Sequence, residues 1–254
     1  MAVTRKQRRQ ARILELLKSS GYERIEDLSQ KLSVSEQTIR RDINLLDSEG
    51  RLRRTHGGAA YAGPLNSQDY LMRRHESADV KQRIAFKVAS LVEDGSSVFI
   101  DAGTTCEAVA GALNQRRDLK IVTYSLAAAM LLKDRRDFTV AIPGGFVRQV
   151  DGSVIGEPPT SFISRFRFDI SIFSVSSIEP DGEMSDDDHW EVSNVECAMK
   201  RSRKTLLAVD SSKYKKGGLV SLGNITSMDI MVSDSLPEDP LRQLILDNLE
   251  FHKA

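Results

Sequence analysis

The chain has 254 residues, with 36 Lys and Arg against 36 Asp and Glu, 40% hydrophobic and 28% charged, which excludes a disordered or fibrous protein and suits two soluble domains better than one. No apolar run nears the eighteen or so residues of a membrane span, and the basic stretch Met1 to Arg12 lacks the apolar core of a secretory signal, so a cytoplasmic protein is expected. The two cysteines, Cys106 and Cys197, offer neither a disulfide framework nor metal-ligand spacing, and both read as small buried residues.

Residues 1–60 carry thirteen basic and eight acidic side chains, whereas the remaining 194 carry 23 against 28. A basic head on an acidic body suits a polyanion met in one orientation, and composition alone leaves nucleic acid and a membrane surface both open. From Thr4 to Ser19, Ile13, Leu16 and Leu17 fall at helical spacing, with Gly21 as a stop. Ile25, Leu28 and Leu32 repeat that spacing from Glu26 onward, until Ser33-Val34-Ser35 breaks it. Ser35 is placed to cap a third helix, about Glu36 to Ser48, with Thr38 where a capping box would hold Glu or Gln. That helix buries Ile39, Ile43 and Leu46 and turns Gln37, Arg41, Asn44 and Ser48 to the opposite side, flanked by Thr38 and Arg40. Gln suits adenine, Arg suits guanine and hydroxyls suit phosphate, the chemistry of a recognition helix in a major groove; an ordinary polar helix surface is the alternative. Gly50 ends the helix, and residues 51–60 read as a short hairpin turned at Gly57-Gly58, a basic wing. The candidate DNA contacts are therefore Ser35, Gln37, Thr38, Arg40, Arg41, Asn44, Arg53, Arg54 and His56.

Arg9, Ile13, Leu17, Ser35 and the run Thr38-Ile39-Arg40-Arg41-Asp42-Ile43, with the wing Arg53-Arg54-Thr55-His56-Gly57-Gly58-Ala59, resemble the signature of the DeoR family of bacterial transcription regulators. Asp42 lies nearer the buried stripe than the polar face and reads as an orienting partner for a neighbouring arginine, not as a DNA contact.

Residues 61–78 hold Gly63, Pro64, Asn66 and Ser67 without periodicity and read as a linker, leaving 79–254 as a second domain. There the pattern alternates: a helix over Asp79–Glu93, strand Ser97–Ile100, a helix from Thr104 to Leu113, strand Lys120–Thr123, helix Leu126–Lys133 and strand Phe138–Ile142. A helix over Ser161–Phe166, strand Asp169–Val175, helix Val192–Arg201, strands Thr205–Val209, Leu219–Leu222 and Asp229–Val232, and helix Pro240–Asn248 complete the series. Apolar strands alternating with helices imply a largely parallel sheet covered on both faces. The fold class is thus α/β: an N-terminal winged helix-turn-helix and a mainly parallel α/β domain.

Ligands of such sheets collect at the carboxyl ends of strands, and three ends carry suitable residues. Asp101-Ala102-Gly103-Thr104-Thr105 joins a turn glycine and two hydroxyls to a helix N-terminus, which favours phosphate. Ile142-Pro143-Gly144-Gly145 lets backbone approach a ligand, and Asp210-Ser211-Ser212-Lys213 ends a strand with an ammonium. The dinucleotide fingerprint and the phosphate loop ending in Gly-Lys-Ser/Thr are both absent, so no cofactor and no nucleotide hydrolysis are expected. Asp186-Asp187-Asp188 with His189 reads as a solvated or polyol-binding loop rather than a metal site, and Trp190 as a core or pocket-wall residue.

These blocks, with Ile155-Gly156-Glu157, are similar to the effector domain of DeoR regulators. Phe99-Ile100, Phe162-Ile163-Ser164, Phe166-Arg167 and Asp169-Ile170 are most similar to its glycerol-3-phosphate repressors. The resemblance implies a domain related in fold to ribose-phosphate isomerases that binds sugar or polyol phosphates. Two departures are visible: Thr123-Tyr124-Ser125 replaces the family's Thr-Asn-Asn or Thr-Asn-Ser and puts a phenol at the expected pocket, and Asp188-His189-Trp190-Glu191 replaces Asp-Tyr-His-Glu. The effector-binding candidates are Asp101, Gly103, Thr104, Thr105, Tyr124, Ser125, Gly144, Gly145, Glu191 and Lys213. The expected protein is a non-enzymatic repressor, a homodimer or homotetramer on double-stranded operator DNA, released by a small phosphorylated effector. The rival readings are a sugar-phosphate isomerase using Glu191 or Asp181 as base, and a regulator with a vestigial pocket.

Overall fold

Ile13 and Leu17 lie one turn apart on α1 (Arg5–Ser20), Ile25 and Leu28 on α2 (Ile25–Leu32), and Ile39, Ile43 and Leu46 on α3 (Glu36–Ser48). The three stripes meet in one core that Leu52 and Ala59 close, each large side chain contributing about 1.5–3 kcal/mol by leaving water. The computed structural model describes residues 5–20, 22–48, 51–55, 58–60, 70, 73–148, 150–155, 159–215 and 217–254, and the chain divides into two units, residues 1–65 and 66–254.

In the first unit, Ser33 ends α2 with a left-handed φ of 52°, and the N–H groups of Ser33 and Val34 turn back to the carbonyls of Gln30 and Ser29. Ser35 then caps α3: its Oγ accepts from the Thr38 N–H at 3.3 Å and pairs with Thr38 Oγ1 at 3.0 Å, a hydroxyl version of the capping box. The wing forms from β2 (Arg53–Thr55) and β3 (Gly58–Ala60), antiparallel with Arg53 opposite Ala60. A strand not expected from the sequence, β1 (Tyr22–Arg24), pairs with β3 on its other side. His56 and Gly57 lie outside the described residues, as do residues 61–69, 71 and 72 of the expected linker.

The second unit is built on seven parallel strands. In chain order it contains α4 (Ala78–Leu91), β4 (Ser97–Ile100), α5 (Thr104–Ala112), β5 (Lys120–Thr123), α6 (Leu126–Leu132) and β6 (Thr139–Ala141). A hairpin of β7 (Phe146–Val147) and β8 (Val154–Ile155) precedes α7 (Pro159–Ile163), β9 (Phe168–Phe173), β10 (Ser177–Ile178), β11 (Glu183–Asp186) and α8 (His189–Met199). Then follow β12 (Ser202–Ala208), β13 (Val220–Asn224), β14 (Ile230–Ser233), α9 (Leu241–Asn248) and β15 (Glu250–Lys253). The sheet order is β15-β14-β12-β9-β4-β5-β6. Alternate strand residues serve opposite faces: Val98, Ile100, Ile172, Leu206 and Ala208 pack under α4, α5 and α6, while Phe173, Leu207 and Val209 pack under α8 and α9.

The chain runs outward from β4 through β5 to β6, then returns to β9 on the other flank of β4 and continues to β15. The order therefore reverses between β4 and β9, and the helices change faces there, which opens a crevice above those strand ends. Leu219–Leu222, expected within the parallel series, corresponds to β13, which instead pairs antiparallel with β11 in a small sheet of order β10-β11-β13. α8 begins at His189, three residues before the expected start, because Asp188 accepts the Trp190 N–H and caps it.

Candidate functional site

On α3, Gln37, Arg40, Arg41 and Asn44 are exposed and Thr38 half-buried, while Ile39, Asp42, Ile43 and Leu46 face inward. Arg41 and Gln37 make no hydrogen bond or ion pair among the described residues. Arg40 reaches back to Glu36 at 3.2 Å, one turn away. Asn44 Oδ1 accepts from Arg54 Nη1 at 3.0 Å, and Asp47 accepts the Arg54 N–H at 2.9 Å, so the wing is pinned to α3 by two bonds. Arg53 contributes its backbone to β2. The buried Asp42 accepts from Arg9 Nε at 2.5 Å and Gln10 Nε2 at 3.0 Å. Its partner is thus an arginine of α1, 33 residues away, and the pair fixes α1 against α3 with its charge satisfied.

In the second unit a cavity of about 380 Å³ opens at the switch point, within the range of small-ligand sites. Its wall includes Gly103, Thr104 and Thr105 at the start of α5, where Gly103 holds a φ of 113° that side chains resist. The first α5 bond runs from the Glu107 N–H to the Gly103 carbonyl, and no side chain caps the helix, so the N–H groups of the first turn point outward with the positive end of the dipole. Lys213 lines the same cavity, half-buried, and its ammonium makes no hydrogen bond or ion pair among the described residues. Burial holds its ammonium below the ordinary lysine range, with the charge of Asp210 opposing that shift.

Further wall residues escaped the sequence reading: Arg73, Glu76 and Lys81 ahead of and within α4, Ser174 and Ser176 beyond β9, and Lys215; Asp186, read there as part of a solvated or polyol-binding loop, also lines the wall. Lys81 is 6% exposed, yet its ammonium donates to the carbonyls of Arg73 and, at 2.9 Å, Glu76. Nearby, the buried Tyr70 hydroxyl donates to Glu107 on α5, and Arg74 Nε stands 3.6 Å from the other Glu107 oxygen. Tyr70 and residues 73–77, expected as linker, therefore lie against the body, and Arg73, Glu76 and Ser77 supply part of the cavity wall. Burial pushes the Glu107 carboxyl up to about 7.

Glu191 also lines the cavity, and its Oε1 accepts from Arg148, whose guanidinium also meets Asp151 and Asp188, the last at 2.6 Å. Burial, then the charge of Asp186, raises the Glu191 carboxyl to about 7. The acidic run is divided, contrary to its reading as one loop: Asp186 closes a strand and lines the cavity, Asp187 is exposed, and Asp188 caps α8. Trp190 and Asp181 do not line the cavity.

Of the ten effector candidates, Gly103, Thr104, Thr105, Glu191 and Lys213 come together. Asp101 and Tyr124 sit beneath them, 4% and 1% exposed, with the phenol donating to the carboxyl. The expected phenol in the pocket is thus a core residue packed with Phe99 and Val122. Ser125 caps α6 through the Ala128 N–H at 3.2 Å. Gly144 and Gly145 are exposed beyond β6, the sheet's edge strand, three places from the β9 end over which the cavity lies. Gly156 and Glu157 lie outside the described residues. Among those that are described, no cluster of three metal-ligating side chains occurs, and no helix is long and apolar enough to cross a membrane.

A winged helix-turn-helix followed by an α/β unit with a charged cavity at its switch point defines a DNA-binding regulator with a sensor body. Residues 9–64 match the DeoR-like helix-turn-helix domain and residues 76–235 the DeoR C-terminal sensor domain, so the chain belongs to the DeoR family of transcription regulators. It is 41% identical over 230 residues to the glycerol-3-phosphate regulon repressor of Haemophilus influenzae, spanning 91% of this chain and 90% of that one. It is 39% identical over 236 residues to the glycerol-3-phosphate regulon repressor of Escherichia coli K12 (93% and 94%), and 36% identical over 240 residues to the E. coli transcriptional repressor CsqR (94% and 92%). Among solved structures, a ribose 5-phosphate isomerase of Methanocaldococcus jannaschii matches 56% of each chain with a TM-score of 0.41 at 15% identity.

Proposed function

We propose that this chain represses a carbohydrate or polyol catabolic operon in the cytoplasm and leaves its operator when the body binds a small phosphorylated metabolite, glycerol 3-phosphate or a sugar phosphate. Residues 1–60 act as the DNA-binding domain and 79–254 as the sensing domain. α3 enters the major groove with Gln37, Arg40, Arg41 and Asn44 toward base edges and phosphates, and the wing lies beside it. A homodimer or homotetramer places two such helices on a repeated half-site, which raises affinity through effective concentration.

The observation that carries the sensing role is the unpartnered Lys213 ammonium in one cavity with the uncapped first turn of α5 and the Thr104 and Thr105 hydroxyls. Together they offer backbone N–H groups, two hydroxyls and a cation, the donor set of a phosphate cradle. Release follows if the ligand favours the arrangement that holds DNA poorly, since a ligand shifts an equilibrium only by its differential affinity. The test is a gel-shift titration of the protein on its own promoter region with glycerol 3-phosphate and a panel of pentose and hexose phosphates. At least one ester is expected to release the DNA, and none doing so overturns the reading.

A further inference from the structure

The cavity wall carries charges of both signs. Lys81, Arg73, Lys213 and Lys215 line it together with Glu76 and Asp210, whereas Glu191 on α8 and Asp186 on the small antiparallel sheet add two carboxyls at its other end, Asp186 within reach of the Lys213 charge. Asp186 Oδ1 is taken up by the Ser176 hydroxyl at 2.8 Å and the Asp187 N–H at 2.7 Å, and Glu191 Oε1 by Arg148. The second oxygen of each carboxyl accepts no hydrogen bond among the described residues, which leaves two acceptors for a ligand. Arg148 does not neutralise this end, because its one positive charge is divided among Asp151, Asp188 and Glu191.

We propose, on the strength of the phosphate reading above, that the effector is a monophosphate whose far end is rich in hydroxyls and uncharged, and that Asp186 and Glu191 determine this specificity by refusing a second anionic group. A hydroxyl at that end donates to the free carboxylate oxygens. A carboxylate or second phosphate in its place brings no donor and meets two like charges in a partly desolvated site, the combination by which binding sites reject a near-isostere.

The test is isothermal titration of the full-length protein at pH 8 with matched pairs: glycerol 3-phosphate against 3-phosphoglycerate, glucose 6-phosphate against 6-phosphogluconate, and fructose 6-phosphate against fructose 1,6-bisphosphate. In every pair that binds, the neutral-ended member is expected to bind at least about 10-fold more tightly. Glu191→Gln and Asp186→Asn, each removing one charge while keeping shape, are expected to narrow that ratio to below about 3-fold. Equal affinity within a pair, preference for the doubly anionic member, or a ratio unmoved in both folded variants overturns the proposal. The wild-type ratios decide it even if a variant fails to fold. If no member of any pair binds, the phosphate reading itself falls, and this inference with it.

Discussion

Arg41 and Lys6 separate two jobs that the basic head performs. Arg41 is exposed on α3 without a partner among the described residues, opposite the buried stripe, so it is free to form a bidentate contact with a guanine edge. Arg41→Ala is expected to weaken operator binding by about 1–3 kcal/mol and to relax sequence preference at one position, measured by gel shift on point-mutated operators. Lys6, exposed near the start of α1, can only neutralise phosphate; Lys6→Ala should lower affinity evenly across sequences. Lys213→Ala removes a cation that the fold itself does not use, so it should blunt effector response while leaving unliganded DNA binding unchanged in the same assay. Glu107 gives a pH prediction. Its folded carboxyl titrates near 7 against an ordinary 4.5, so folding favours the protonated form. The stability it contributes is present below about pH 4.5 and is lost as pH rises through about 7, on the order of 3 kcal/mol. Glu107→Gln should remove that slope, so the urea stability of the variant relative to wild type rises between pH 4.5 and 7.

Tyr70 and residues 73–77 show how much a stretch without periodicity can matter. They precede α4, and the Tyr70 hydroxyl on Glu107 and the carbonyls of Arg73 and Glu76 on Lys81 tie this stretch to α5, to α4 and to the cavity wall. Removing one tie should loosen it: Tyr70→Phe leaves Glu107 without its tyrosine donor, at a cost of about 1–3 kcal/mol. Faster amide exchange over residues 73–77 is expected, with effector affinity held within about 3-fold and a smaller effector-induced loss of DNA binding. Nothing in Gly63, Pro64, Asn66 and Ser67 announces such packing, and Lys81, at a helix start, reads as an ordinary solvated cation until the carbonyls of Arg73 and Glu76 appear beneath it. The large elements were legible from their apolar pattern: the helical spacing of Ile39, Ile43 and Leu46 on α3, the alternation of Phe168, Ile170 and Ile172 in β9, and the apolar runs of β4 and β14. Short elements such as β1, β10 and β15 were not, since two to four residues hold no period and their pairing is decided by tertiary neighbours. The site was half legible for the same reason. Gly103-Thr104-Thr105 sits in one contiguous turn, whereas Asp186 and Arg148 reach the cavity or its rim only through a strand register and a three-carboxylate cluster.

At the scale of the whole molecule, charge is divided so that thirteen basic residues against eight acidic ones fall in the first sixty, while the rest of the chain is net acidic. Such a division concentrates attraction to DNA on the first unit and gives the second a charge that repels the polyanion, which favours contact through the head. Binding should then be governed by counterion release from the phosphates that the head covers, with each phosphate adding about 0.9 to the slope of log K against log salt. If a head neutralises two phosphates and a dimer four, the slope is about −3.6, and raising salt from about 50 to 200 mM should weaken operator binding roughly 150-fold. The same titration reports assembly, because a protein bound through a single head gives about half that slope and protects one half-site, whereas a dimer protects two, about one helical turn apart. Fluorescence anisotropy across a salt series, combined with a footprint, therefore measures both quantities. A slope near zero would be incompatible with a head that grips the phosphate backbone, whatever sequence its recognition helix prefers.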